Sequence, residues 1–347
     1  MLQSLHLTNV TLFQQAELNF SPGLNVFVGE NGCGKTHLLK LAFAMASCLQ
    51  APLPTRSAMQ GLLADKLLAV LRPEALGRLV RRRAGRERAE LEALWSTSDE
   101  PLRFRFSTNS RSEVVVEAMP DRPLNKRPCF LPTRELLTIA PGFVALYESR
   151  MLEFDETWRD TCLLLQAPAL RGPRQQQIQA LLAPLEEAMG GQVETDQNGR
   201  FYLRQASGRL EMPLVAEGLR KFAMLARLIA TGELLESGML FWDEPEANLN
   251  PRLLRPIAQT ILQLSRQGLQ VFMATHSLFL LRELELLLTE SNHQPRQAPM
   301  FFGLHPGDGG VDVQSGPELA SIGSIAALDE ELDQEDRAFG NVSGDIA

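Results

Sequence analysis

Residues 29 to 36 read Gly-Glu-Asn-Gly-Cys-Gly-Lys-Thr, the spacing G-x-x-x-x-G-K-T. Few stretches of eight residues restrict a fold so narrowly. The loop's backbone N–H groups wrap phosphate oxygens, Lys35 reaches the outer phosphates, and Thr36 offers its hydroxyl to Mg2+. The pattern carries structural meaning between a strand and a helix, and both are present: Leu24 to Val28 is an apolar run, and Lys35 to Leu49 has helical spacing. A second stretch, Met239-Leu-Phe-Trp-Asp-Glu244, sets four apolar residues before two carboxylates. It predicts a buried strand that delivers Asp243 to the metal and leaves Glu244 to orient a water. The two stretches together predict an α/β P-loop NTPase that takes ATP and Mg2+. Gly29, Glu30, Asn31, Gly32, Cys33, Gly34, Lys35, Thr36 and His37 line its nucleotide site, with Thr36 and Asp243 as metal ligands.

Charge decides what else such a core can touch. The net charge is −8, but residues 328–347 hold Asp329, Glu330, Glu331, Asp333, Glu335, Asp336 and Asp345 against one base, Arg337. The acidity is mostly a tail, so a basic surface elsewhere is open to nucleic acid. Arg78, Arg81, Arg82, Arg83, Arg86 and Arg88 fall in a stretch that reads as a helix, with Glu87, Glu90 and Glu92 at helical pairing distance. Guanidinium forks suit phosphate oxygens, which makes Arg78–Arg88 a candidate DNA or RNA surface. The plainer explanation is composition, since arginine outnumbers lysine 29 to 5 throughout. Cys33, Cys48, Cys129 and Cys162 lack metal-ligand spacing and predict reduced, unpaired thiols. With no leader pattern at Met1–Phe13 and with Arg282, Glu283 and Glu285 interrupting the apolar stretch 277–289, the expectation is a soluble cytoplasmic protein without membrane contact.

Along the chain, Leu2–Asn9 and Ala16–Phe20 alternate like half-buried strands before the turn Ser21-Pro22-Gly23. Residues 51–100 read as helical, 102–106 and 114–118 as a hairpin, and Pro128–Leu131 as a short strand. Residues 143–190 read as helical, ending at Gly190-Gly191, with a hairpin around Asn198-Gly199. Glu217–Thr231 predicts an amphipathic helix, Pro251–Gln267 a helix with proline at its first position, and Leu269–Ala274 a strand ending at His276. No internal repeat and no long heptad run is present. The expected division is an ATPase core of 1–50 and 210–313, a helical and hairpin arm of 51–126, a second lobe of 127–209, and an acidic C-terminal tail of 314–347.

This order of strand, phosphate loop, long insertion, Glu-Gly-led helix, Asp-Glu strand and His-ending strand resembles ABC-type ATPase heads of the SMC/RecF/OLD group. The opening Leu7–Phe13 and Gly23–Gly32, Glu217-Gly-Leu-Arg-Lys221, and Phe241-Trp-Asp-Glu-Pro-Glu-Ala-Asn-Leu-Asn-Pro251 are most similar to stand-alone bacterial AAA-family ATP-binding proteins of phage-defence operons. The resemblance is strong over 1–49 and 210–290 and faint elsewhere. It implies an ABC-like head with a mixed sheet, an antiparallel β lobe and a helical insertion. It further implies a homodimer closed head to tail on ATP, Glu217 and Gly218 capping the partner's γ-phosphate, Glu244 and Lys35 in hydrolysis, and His276 as the switch histidine. Arg220 and Lys221, on the same helix, read either as a solvated face or as phosphate or cross-interface contacts. The chain departs from the pattern at Ala216, where a serine hydroxyl is expected, and at Asn250, where many heads carry Asp. No glutamine follows the Pro128–Leu131 strand, where Arg134 and Glu135 stand instead.

The functional expectation is an ATP hydrolase controlling a separate effector, a nuclease among the candidates, in a nucleic-acid-directed defence or repair assembly. The alternatives are a non-catalytic ATP-gated scaffold and a transporter's nucleotide-binding subunit. The absent Leu-Ser-Gly-Gly-Gln and the roughly 180 residues between Gly34 and Gly218 disfavour the transporter. Asp308 and Asp312 suggest a carboxylate pair, but the surrounding glycines predict a hairpin turn rather than a nuclease centre.

Overall fold

The computed structural model describes residues 1–82, 85–150, 152–290, 297–307 and 309–344. β1 (Leu2–Val10) and β2 (Phe13–Asn19) form a hairpin, with Leu5, Leu7, Val10, Phe13, Ala16 and Leu18 buried. β3 (Leu24–Gly29), apolar but for Asn25, is buried along Leu24–Val28 because it lies between two strands with both faces of the sheet covered. It ends at the phosphate loop, where α1 (Lys35–Ser47) begins. Thr55 caps α2 (Arg56–Leu71) by accepting from the Ala58 N–H.

The helical expectation for 51–100 holds for α2 and fails after it. β4 (Arg88–Trp95) is a strand in which Ala89, Leu91, Ala93 and Trp95 are buried while Arg88 and Glu90 are exposed, a period of two. Acid–base spacing that mimics a helix is here cross-strand pairing. Arg103 on β5 (Leu102–Ser107) pairs with Glu92, and Arg105 with Glu117 on β6 (Val115–Ala118). These strands form one five-stranded antiparallel sheet in the order β2-β1-β4-β5-β6, with β4 joined to β1 from Leu2 opposite Trp95 to Thr8 opposite Glu90. Strand pairing therefore ties the expected arm to the first fifty residues.

After β7 (Pro128–Leu131), the single helical stretch expected over 143–190 is three helices: α3 (Ala140–Arg150), α4 (Glu156–Gln166) and α5 (Pro173–Met189). The breaks have local causes. Pro141 and Gly142 are non-helical within α3, the Asp155 carboxylate caps α4 by accepting from the Thr157 N–H, and Pro173 opens α5 after Gly172. β8 (Gln192–Thr195), β9 (Phe201–Gln205) and β10 (Gly208–Glu211) make a small antiparallel sheet. The β8–β9 turn places Gly199 at φ 75°.

α6 (Glu217–Ala230) and α7 (Glu233–Glu236) lead into β11 (Met239–Asp243). The helix expected from Pro251 starts one turn later. Asn250 caps a 3-10 turn at Pro251–Leu253, and α8 (Leu254–Arg266) follows. The described chain closes with β12 (Gln270–Thr275), α9 (Leu278–Thr289), β13 (Met300–Gly307), β14 (Gly310–Gly316) and α10 (Ala326–Gly344). The acidic tail is thus partly strand and mostly helix. Leu328 packs on the core and Glu331 pairs with Arg282 of α9 at 2.7 Å, while residues 332–337 are exposed. Arg83, Asp308 and Asp345 lie outside the described residues.

The six-stranded sheet, ordered β14-β13-β3-β12-β11-β7, is parallel except for β14. Its two faces carry different cores. Leu240, Trp242, Val271 and Met273 join the apolar faces of α5, α6, α8 and α9. Phe241 and Phe272 stack at 4.7 Å on the other face, with α1, α2 and the antiparallel sheet. The mixed sheet, antiparallel lobe and helices match the expected P-loop, ABC-ATPase-like class. Among the described residues, no helix is long and apolar enough to cross a membrane.

Candidate active site

β3, β11 and β7 run parallel, so their C-terminal ends meet at one edge, where ligands gather in sheets of this kind. β3 delivers the phosphate loop there. Gly34, at φ 92°, is the N-cap of α1 and gives the helix its entry; a Cβ at Gly34 would stand 3.0 Å from the Phe13 ring. A Cβ on Gly29 would stand 2.7 Å from the Leu304 carbonyl oxygen. The loop packs so closely on β13 and β2 that glycine alone fits at both places.

Lys35 is 6% exposed, and its ammonium donates to the Gly29 and Glu30 carbonyls at 2.7 and 2.8 Å. The Thr36 hydroxyl donates to the Asp243 carboxylate at 2.9 Å and lies 3.1 Å from its second oxygen. Burial raises the Asp243 pKa above the ordinary carboxylate range, with the Thr36 hydrogen bond opposing. A buried carboxylate beside a hydroxyl is an oxygen donor set that a hard dication relieves, so these residues fit Mg2+. No group of three or more His, Cys, Asp or Glu residues that could hold a metal occurs among the described residues. Any cation here would therefore share its coordination with substrate oxygens and water.

A recess of about 220 Å3 opens over the loop, lined by Leu12, Asn31, Gly32, Gly34, Lys35, Thr36, His37 and Glu244. The structure thus brings together most of the predicted nucleotide residues and the predicted base. Cys33 is buried beneath the loop, with its sulfur 3.9 Å from the Lys35 ammonium. His276 Nδ1 lies 3.3 Å from Glu244 Oε1. Glu217 and Gly218 are not in this recess. Glu217 accepts from Asn248 Nδ2 at 2.9 Å, and a Cβ on Gly218 would meet the Asn248 carbonyl at 2.8 Å.

Sequence reasoning misses three participants. Thr133, just beyond β7, donates to Asp243 at 3.4 Å. Its signal is register, since Leu131 pairs with Trp242 and two further residues bring the chain level with the carboxylates. Glu246, 8% exposed, accepts from the Thr275 hydroxyl at 2.6 Å and the His276 N–H at 3.2 Å, so it holds the histidine's backbone. Lys221 is not a solvated helix face: it is buried, lies outside the recess lining and bonds backbone carbonyls. Arg220 also turns inward, its Nε 3.0 Å from Glu135 Oε1.

Comparison with known proteins matches the chain in separate pieces. Residues 164–282 match a family described as "AAA domain, putative AbiEii toxin, Type IV TA system", and residues 4–49 match one described as "AAA domain". The DNA replication and repair protein RecF of Phocaeicola vulgatus is 41% identical over 56 residues, covering 16% of this chain and 15% of that one. RecF of Renibacterium salmoninarum is 48% identical over 46 residues, covering 13% and 12%. Each match spans less than a sixth of the RecF length. The SMC head domain from Thermotoga maritima aligns over 90% of this chain and 97% of its own, with 13% identity and a TM-score of 0.51. An SMC head bound to the C-winged helix domain of ScpA aligns over 91% and 97%, with 14% identity and a TM-score of 0.55. At such identities the likeness is one of fold.

Proposed function

We propose that the chain is an SMC/RecF-like ABC ATPase head that binds ATP with Mg2+ in the Lys35 recess and hydrolyses it. The observation that carries this reading is the meeting, at one sheet edge, of a phosphate loop, a hydroxyl–carboxylate pair and a second carboxylate beside a histidine. Lys35 exchanges its loop carbonyls for phosphate oxygens, a stronger charge-assisted contact. Bound Mg2+ neutralises phosphate charge, and Thr36 and Asp243 hold it. Glu244 orients the attacking water, and His276 lies beside that carboxylate, where it can meet the terminal phosphate.

The same reading has two copies closing head to tail. Glu217 and Gly218 lie with Asn248 and outside their own chain's recess, which suits action on a second chain's nucleotide. The similarly folded SMC head bound to the C-winged helix domain of ScpA supports a separate protein partner as the output. The AbiEii-like match supports a defence role; a separate nuclease effector, a cytoplasmic setting and DNA or RNA at the exposed Arg82, Arg86 and Arg88 extend that reading. A second reading, the ATP-gated scaffold without turnover, is favoured by Ala216, which caps α6 without any side-chain hydrogen bond.

Glu244→Gln tests the two. It keeps shape and hydrogen bonding but removes the base, so phosphate release should fall by about 10²- to 10⁴-fold while ATP binding persists. The same variant should accumulate an ATP-bound dimer in sedimentation. A wild-type rate equal to that of Glu244→Gln selects the scaffold.

A further inference from the structure

One buried charge at this site has no role above. Lys221, on α6, is 2% exposed, and its ammonium donates to the carbonyl oxygens of Glu244 at 2.9 Å and Ala247 at 3.1 Å. Burial lowers its pKa to about 8, against the nearby carboxylates of Glu246 and Glu244, so the charge is held there at a cost. Packing of α6 does not need it, because Phe222, Leu225, Leu228 and Ile229 already seat the helix in the core.

What the ammonium grips is a turn, and the turn carries Glu244. Glu244 sits at φ 48°, in the left-handed region that a residue with a Cβ adopts only when its surroundings enforce it. Three contacts do the enforcing. On one side the Glu244 N–H donates to Ala274 O of β12 at 2.9 Å; on the other the Glu244 carbonyl accepts from Lys221 at 2.9 Å and from the Ala247 N–H of the turn at 3.1 Å. With both flanking peptides fixed, the direction of the Glu244 side chain is fixed too, and its carboxylate comes to lie beside His276. The Glu217–Asn248 hydrogen bond and the close seat of Gly218 clamp the same helix end to the same turn.

We propose that Lys221 is a positioning residue for Glu244: by holding the Glu244 and Ala247 carbonyls, it sets the direction in which the Glu244 carboxylate meets water. This rests on the reading of Glu244 as the base for hydrolysis. Lys221 touches neither nucleotide nor water in this scheme and acts through the turn alone. Misplacement of a reacting group by about 1 Å costs on the order of 10²-fold in rate, which sets the scale expected when the grip is removed.

The test is a double-variant cycle on the full chain with ATP and Mg2+, comparing Lys221→Met and Lys221→Gln in the Glu244 and Glu244→Gln backgrounds. Phosphate release, the Kd for a fluorescent ATP analogue and the melting temperature are read for each. Lys221→Met should lower kcat by about 30- to 100-fold with the analogue Kd changed less than about threefold. Lys221→Gln keeps an amide donor for one carbonyl and should recover part of the rate. In the Glu244→Gln background, where the aimed group is already gone, Lys221→Met should cost less than about threefold, the non-additivity expected of residues acting as a unit. If the Met variant does not fold, the Gln variant is read through the same cycle, with a loss of about tenfold expected in the Glu244 background. Equal losses in both backgrounds, or an unchanged kcat, overturn the positioning role. A Glu244→Gln defect with intact turnover in the Lys221 variants overturns this inference alone, whereas a wild type that releases no phosphate overturns the hydrolase reading and this inference with it.

Discussion

The edge of the parallel sheet and the outer face of the antiparallel sheet treat charge in opposite ways. At the edge, Lys35 and Lys221 are buried on backbone carbonyls and have no carboxylate ion-pair partner among the described residues. On the antiparallel face, Arg103 is paired with Glu92 and Arg105 with Glu117, and both arginines are at least a third exposed. An exposed ion pair is already satisfied and contributes little, whereas a buried cation on neutral acceptors is expensive to keep. The difference teaches where to look for chemistry: at charges that the fold supports without neutralising. Counting arginines along the sequence points instead to the Arg78–Arg88 stretch, where Arg78 pairs with Glu74 at 3.1 Å on the exposed surface.

The largest test of that contrast is Lys35→Ala. Losing the ammonium should weaken ATP binding by about 10- to 100-fold or more, the range for a hydrogen bond to a charged group. Calorimetric titration giving an unchanged Kd would break the comparison at its strongest point. A step smaller is Gly218→Ala, which drives a methyl against the Asn248 carbonyl where 2.8 Å is available. It should destabilise the protein by about 1–3 kcal/mol, read as a lowered melting temperature, and so gauge how firmly α6 is seated on the turn.

The neutral groups beneath both regions give a third test. Burial pushes the thiols of Cys48, Cys129 and Cys162 up to about 12. Below about pH 9 folded and unfolded chains both keep these protons; above it the unfolded chain loses them first, so stability falls as pH rises towards 12. Lys221, lowered to about 8, works the other way, gaining stability between about pH 8 and its unfolded value near 10.4. Denaturant melts from pH 7 to 11 should therefore show a net fall, steepest above pH 10, and a flat profile would remove burial as the cause. Smallest of all is Arg82, Arg86 and Arg88 to Glu, three exposed positions. ATP turnover should not change, while the log–log salt slope of any duplex DNA binding should shrink by about 0.9 for each phosphate that the protein no longer neutralises. An unaltered slope assigns these arginines to the same class as Arg103 and Arg105.

Much of the site is legible in the sequence because its chemistry is local there. Gly29 to Thr36 and Met239 to Glu244 each bring their ligands on one continuous stretch of chain, so spacing alone locates Lys35, Thr36, Asp243 and Glu244. Thr133, Glu246 and Lys221 are not legible, since their roles depend on which strands and helices lie side by side. A threonine two residues past a strand means nothing until β7 is known to flank β11. The fold divides in the same way. β3, β11 and β12 are mostly apolar runs and read directly as strands, whereas β4 alternates Arg and Glu with Ala and Leu at a spacing that also satisfies a helix. Its pairing with β1, across some eighty residues, decides the matter.

The order of strands in the parallel sheet also bears on how the protein comes into being. β3 carries the phosphate loop near the start of the chain, yet its two neighbours are β12 and β13, drawn from residues 270–307. Closing loops of that length is slow, and synthesis delivers the flanking strands long after the loop has left the ribosome. Until they arrive, Leu24–Val28 is an apolar strand with both edges bare, the kind of segment that recruits chaperones or aggregates. Nucleotide binding thus reports on completion: a nascent or truncated chain lacking residues beyond 270 carries the Gly-Lys-Thr loop but no frame to hold it open.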